Sequence, residues 1–304
     1  MNRARRQRRK VARRNGGVNF GRAATSRNPY IGSVSLDLSA DPRTRRATVP
    51  ALTRYTLLSW ITVAGILIAW WAVTALGLGA RFHLPSPGDL AREAGVLAAH
   101  GYAQQPLSTH VLASLKRTLL GLGAGLAVGI PLGLWMGMSR TVFAILAPVF
   151  SFLRPIPPIA FIPLMILYFG IGEFSKIFLI FMAALSYVML HAVSGVRSVP
   201  ADLISAGRNL GLTRAKLFQH VVFPAALPHI MTGVKTATAI SWAIVVAAEL
   251  IAAQAGLGFM VMDATTFFRV PDVYIGIVII GLIGLTLEFV TRALERSLLH
   301  WQGR

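Results

Sequence analysis

Glu249 lies inside SWAIVVAAELIAAQ, residues 241–254, and is the one acid deep in an apolar segment. An ionisable group at the centre of a bilayer costs roughly 3 kcal/mol or more, so it needs either a partner or a use. Two readings stand at this level. Glu249, with Trp242 beside it, lines a polar pathway, or it is a structural acid paired to Lys235 or to a backbone group. A second concentration of polar chemistry is SAGRNLGLTRAKLFQHVVFPAALP, residues 205–228, where Arg208, Arg214, Lys216 and His220 interrupt long apolar runs. A third is Arg154-Pro-Ile-Pro-Pro with Pro163 shortly after. Proline removes an amide donor and breaks or kinks a helix, which puts Pro157 and Pro158 beside a pathway or at a structural kink.

Catalytic patterns are missing. GIGEFSK, residues 170–176, lacks the spacing of a phosphate-binding loop, and HExxH, GxSxG and a placeable Ser/His/Asp set are all absent. The chain has no Cys, which excludes disulfides, thiolate metal sites and Cys nucleophiles. The chain is therefore not expected to be an enzyme, nor to hold a metal or cofactor of its own. His191 stands alone and reads as a hydrogen-bonded packing residue.

The elements that position these residues are membrane helices. Of 304 residues 55% are hydrophobic and 13% charged, and the mean hydropathy is +0.62, the profile of a membrane protein. A span needs about 20 mostly apolar residues. Such runs occur at 57–78, 118–138, 155–172 with an extension back toward Thr141, 177–196, 229–253 and 273–294. Every backbone amide in lipid must be satisfied internally, so the fold class is all-α, a polytopic bundle of about six transmembrane helices. The first run starts near Leu57, too far in and too long for a secretory signal, and reads as a retained span. Gly121, Gly125, Gly129, Gly133 and Gly137 fall on one face of the second span. Such a stripe admits another helix at close range, from the same subunit or from a second copy.

Charge sets the orientation. Thirteen of the 30 Lys and Arg precede residue 51, against Asp37 and Asp41 alone, so most of the net charge of +19 belongs to residues 1–50. Poor in apolar residues, this tail is expected to be disordered, with residues 51–304 forming the membrane domain. Arginine-rich tails bind nucleic acid, anionic lipid or neither, and next to a span lipid attraction and topology are favoured over RNA. The tail, Arg140, Arg197, Arg208, Arg214, Lys216, Arg292, Arg296 and Arg304 all fall on one face, which the positive-inside rule makes cytoplasmic, with both termini there. Lys116 and Arg117 disagree.

The polar stretch parses as helix, turn, helix. Asp202 caps the first helix, Gly211 ends it, Thr213 caps the second and Pro224 closes it before the next span. Such an element suits protein docking. Its pattern, Ser205-Ala206-Gly207-x-x-x-Gly211 followed by Phe218 and VFPAALP, resembles the EAA loop of binding-protein-dependent ABC transporter permeases. LPSPGDL, ASLKRTLLG, PLGLWMGMS, RPIPPIAFIPLMILYFGIGEFSKIFLIF, GVRSVPADL, AAELIAAQAGLGFMV and LERSLLHWQG are similar to the taurine, aliphatic sulfonate and nitrate branch, nearest the taurine permeases. The likeness runs over about residues 55–304. It implies a type I importer permease in a bacterial inner membrane, two copies forming the pathway. Two ATPase subunits, holding ATP and Mg, would dock on a coupling loop at about 199–224, and an extracytoplasmic binding protein would deliver the substrate. The docking residues would be Ser205, Ala206, Gly207, Arg208, Gly211, Leu212 and Arg214. The family's Glu is Ser205 here and its second Ala is Gly207. Nitrate, bicarbonate, thiamine-precursor and aromatic-acid importers share much of the pattern. A stand-alone secondary transporter and an RNA-binding membrane protein are the readings from other classes.

Overall fold

The computed structural model describes residues 51–77 and 84–301; the expectations for residues 1–50 lie outside them. The structure falls into two compact units divided after Trp60. Of the first unit, only the opening of helix α1 (Ala51–Ala75) is described, and the helix runs on through the division. Its apolar side chains, among them Trp60, Ile61, Leu67, Ile68 and Trp71, are exposed, as on a helix meant for lipid or a protein neighbour rather than for water.

In the second unit, three long helices make the centre: α3 (Leu107–Met138), α6 (Glu173–Arg197) and α9 (Phe223–Ala252). The glycine stripe decides how the first two meet. A Cβ built at Gly121, Gly125, Gly129, Gly133 or Gly137 would come within 2.5–2.7 Å of Ile180, Ala184, Val188, Ala192 or Val196 respectively. The constant offset means that α3 and α6 run parallel, backbone against backbone, and that the stripe packs within one subunit. Helix α9 returns antiparallel, with Gly233 against His191 and Val188, and Gly195 against Ala226 and His229. Helix α11 (Val270–Leu298) lies along α9, tied by Trp242 Nε1–H donating to Ile280 O (3.1 Å) and by Lys235 Nζ to Glu295 (2.8 Å). Arg140, Arg197, Arg208, Arg214, Lys216, Arg292 and Arg296 thereby gather near one end of the bundle, here called the docking end.

Five helices are long and apolar enough to cross a membrane, or six spans if one bent pair counts as one. That pair occupies the third span expected over 155–172 with its extension back toward Thr141, and it is broken at the prolines. Helix α4 (Arg140–Leu153) stops at Arg154, and after the Pro155–Pro157 link the chain resumes as a 3-10 turn (Pro158–Phe161) and α5 (Ile162–Phe169), bent by 85°. Pro155, Pro157 and Pro158 have no N–H to continue the ladder. Pro163, by contrast, sits harmlessly in the first turn of α5. The short α2 (Pro87–His100) opens on a capping box between Ser86 and Asp89. Helix α10 (Leu257–Thr266) links α9 to α11.

Two boundaries near the docking element also differ from expectation. Pro200, not Asp202, precedes the first turn of α7 (Ala201–Asn209), and Asp202 stands within that turn. There its charge still favours the helix N-terminus. Pro224 does not end the second helix. Helix α8 (Arg214–Leu217) passes through a π turn (Phe218–Val222) into α9, giving one span over 214–251. The wider π turn brings Phe223 N–H onto Phe218 O, so Pro224 falls at a fresh helix start, where its missing donor costs little.

Candidate functional site

The candidate docking element is built by its caps. Thr213 accepts from Lys216 N–H (3.4 Å) and starts α8, while Gly211 takes φ +76 to turn the chain out of α7. Gly207 is buried against Leu217, Leu212 and Val221, which holds the two helices together. Ser205, Ala206, Arg208, Leu210, Gly211, Arg214 and Lys216 are exposed, and Leu212 is half-buried. The outward face therefore offers cations around an apolar tip, Leu210 being 81% exposed. Such a face suits an acidic protein groove with an apolar floor.

Glu249 is 1% exposed and fully engaged. Arg117 Nη1 donates to it at 2.6 Å, Ser114 Oγ at 2.8–2.9 Å and Gly258 N–H at 3.0 Å. Arg117, itself 4% exposed, also grips Glu173 through Nε and Nη2 (both 2.6 Å) and donates to Ala255 O (2.7 Å). One guanidinium thus ties α3, α6, α9 and the link to α10 at the end opposite the docking element. Of the two partners offered for Glu249 as a structural acid, Lys235 pairs with Glu295 instead, while the backbone group is found in Gly258 N–H. Arg117 breaks the expected charge tally because α3 begins at Leu107, eleven residues earlier than the apolar run implies. That places it inside the bundle with two acids. Gly256, at φ +131, lies where any Cβ would strike the Glu249 carboxylate, so only glycine closes this turn. Gly256 N–H donates to His110 Nδ1 (3.2 Å), which leaves Nε2 as the donor to Tyr102 O (3.2 Å). Beside it, Tyr102 Oη donates to Asp263 (2.7 Å). Burial and that carboxylate push the phenol above its usual range.

A cavity of about 310 Å³ opens beside the 85° bend. Pro158 lines it, together with Arg154, Phe143, Tyr187 and His191. Pro157 is exposed just outside, and Glu249 and Trp242 are buried elsewhere. Of the four pathway candidates, only Pro158 meets this space. His191 faces the cavity and packs against Gly233 as expected of a packing residue, but its side chain makes no hydrogen bond among the described residues. Arg154 was legible, standing directly before the proline run. His191, Ser186, Tyr187 and Thr236 carry no such sign.

Residues 129–300 match the family described as "Binding-protein-dependent transport system inner membrane component". The chain belongs to this family, the membrane permeases of ABC importers. It is 43% identical to the taurine transport system permease protein TauC of Escherichia coli over 253 residues, 83% of this chain and 92% of that one. It is 33% identical to the putative aliphatic sulfonates transport permease protein SsuC of Bacillus subtilis over 86% of this chain and 95% of that one. The nitrate import permease protein NrtB of Synechocystis is 32% identical over 76% and 85%. Among solved structures, the inward-facing MetNI methionine ABC transporter matches with a TM-score of 0.56 at 19% identity, over 63% of this chain and 95% of that one. That last likeness speaks for the fold alone. As a permease component, the chain is a multi-pass membrane protein and not itself an enzyme; the ATPase is a separate subunit.

Proposed function

We propose that the chain translocates taurine or a related aliphatic sulfonate, as one of two identical permease subunits around a shared pathway. The observation that carries this reading is the extent of the likeness to the taurine permease, which includes both the docking element and the Glu249 loop. Two ATPase subunits, holding ATP and Mg, dock on residues 205–218 at the cytoplasmic face, and a binding protein delivers substrate to the opposite face. Closure of the ATPase pair pushes the docking helices together and rocks the bundle between two discrete packings. Both termini lie in the cytoplasm of a bacterial cell, since the docking end collects the Arg and Lys residues. The tail attracts anionic lipid, and no nucleic acid is involved.

The test is uptake of radiolabelled taurine by cells lacking their own sulfonate permease and expressing this chain with its ATPase and binding protein. Uptake that requires all three components is expected. Nitrate uptake without taurine uptake would move the substrate to the nitrate reading, and gradient-driven uptake by the chain alone would remove the importer reading.

The departures from the family loop are mild in physical terms. Gly207→Ala places a Cβ 2.6 Å from Leu217 Cδ1, the far end of a flexible side chain, and 3.4 Å from Leu212 Cδ1. Helix propensity gains roughly 1 kcal/mol in exchange. Taurine uptake by Gly207→Ala is expected to stay within about twofold of the wild type. A loss of ATPase co-purification would show that the glycine is required by the partner.

A further inference from the structure

We propose that the cavity beside the Arg154–Pro158 break is an anion-binding station inside the permease, taking the sulfonate group of the substrate on Arg154. The proposal rests on the sulfonate reading above. It adds the residue that attracts the charged end and the groups that complete the site.

Position comes first. On α6 the lining residues run from Leu179 to Val193, within a helix that spans Glu173–Arg197, so the cavity lies between the two ends of a membrane span. Non-helical backbone survives at such depth only where protein or a water-filled cavity covers it. Broken helices are also where membrane transporters bind their cargo. The volume, about 310 Å³, stands at the lower limit of ligand pockets, roughly 300 Å³. That suits a molecule of taurine's size.

Charge comes second. Elsewhere in the bundle, buried and half-buried cations are paired: Arg117 with Glu173 and Glu249, Lys176 with Glu173, Lys235 with Glu295. Arg154 has no acidic partner among the described residues, and no acid lines the cavity. Arg154 is exposed on the single subunit; within a membrane span an unpaired guanidinium there is costly unless an anion visits it, and its planar fork matches a tetrahedral oxyanion. Ser151, Tyr187 and His191 supply hydroxyl and imidazole groups, the Ser186 and Thr236 hydroxyls donate to Met182 O and Thr232 O of their own helices, and the rest of the wall is predominantly apolar. A few convergent polar groups in an apolar lining is the general make-up of a ligand site. No carboxylate waits for an ammonium, so the site selects the anionic end of its ligand. Isethionate, a sulfonate without an amine, should bind as well as taurine.

The experiment uses the detergent-purified permease–ATPase complex without binding protein and measures equilibrium binding of radiolabelled taurine and radiolabelled isethionate. Both are expected to bind the wild type, with a loss of roughly tenfold or more in Arg154→Gln and substantial recovery in Arg154→Lys. No binding to the wild type, or equal binding by wild type and Arg154→Gln, overturns the proposal. A drop in thermal stability with unchanged binding also overturns it, by making Arg154 a cap for the carbonyls at the end of α4. If Arg154→Gln fails to assemble, Tyr187→Phe/His191→Leu carries the test, and unchanged binding there overturns the proposal. Arg154-dependent isethionate binding in a transporter that imports no sulfonate would leave the cavity standing and remove the substrate reading. Sulfonate import with no binding at Arg154 would do the reverse.

Discussion

Arg117→Met is expected to destabilise the permease by about 3–5 kcal/mol, because it leaves the Glu249 carboxylate buried without its counter-charge. Ser114 and Gly258 continue to donate to that carboxylate, but neither carries charge. Glu173 suffers less, since its side chain is 61% exposed and solvent takes over. Fluorescence-detected size exclusion after heating should show the apparent melting point falling by about 6 °C or more. The reciprocal experiment separates charge imbalance from lost packing. Arg117→Met combined with Glu249→Leu should recover most of the loss, as buried ion pairs replaced by apolar residues often do. A double variant as unstable as the single one would mean that Arg117 holds α6 and the Ala255 carbonyl more than it serves Glu249. If Glu249 served the pathway instead, Glu249→Gln would keep its stability and lose transport.

Gly129→Leu is expected to prevent assembly of the bundle. The first added carbon alone would stand 2.5 Å from Val188 Cγ1 and 3.0 Å from Leu185 O. Backbone cannot yield as a side-chain tip can, so α3 and α6 must separate along the stripe. Overpacking costs typically about 1–3 kcal/mol where a core can relax, and more is expected here because two parallel helices share one continuous seam. Gly123 provides the control, since nothing lies within 4 Å of a Cβ there. Gly123→Leu should accumulate in the membrane at the wild-type level while Gly129→Leu does not. Equal accumulation of the two would mean that the seam is not what holds the bundle.

The spans were legible because hydropathy reports them without regard to partners. The glycine stripe was legible for a similar reason: a four-residue repeat is a local property of one helix. What it faced was not, because two parallel helices 59 residues apart in sequence are joined only through the bent pair. Glu249 announced itself, whereas its partner did not. Arg117 looked like an interfacial charge because the apolar run starts at Thr118, yet the helix starts at Leu107 and carries polar groups such as His110 and Ser114 into the core. The proline run identified a break but not its angle. Its cavity depends on Tyr187, His191 and Thr236, ordinary residues of other helices that only the tertiary packing brings to Arg154.

Phe143 forms part of that cavity's wall, and the Arg197 guanidinium lies 3.4 Å above its ring. Arg197 is the last residue of α6, four residues before the docking helix begins, while Arg117 anchors the first turn of α6 to the rest of the bundle. Helix α6 is thus a lever with a fixed pivot at one tip and a handle at the other. If an ATPase docks as proposed, its push on the handle is expected to reach Phe143 first and to move the wall nearest Arg197 before the far wall.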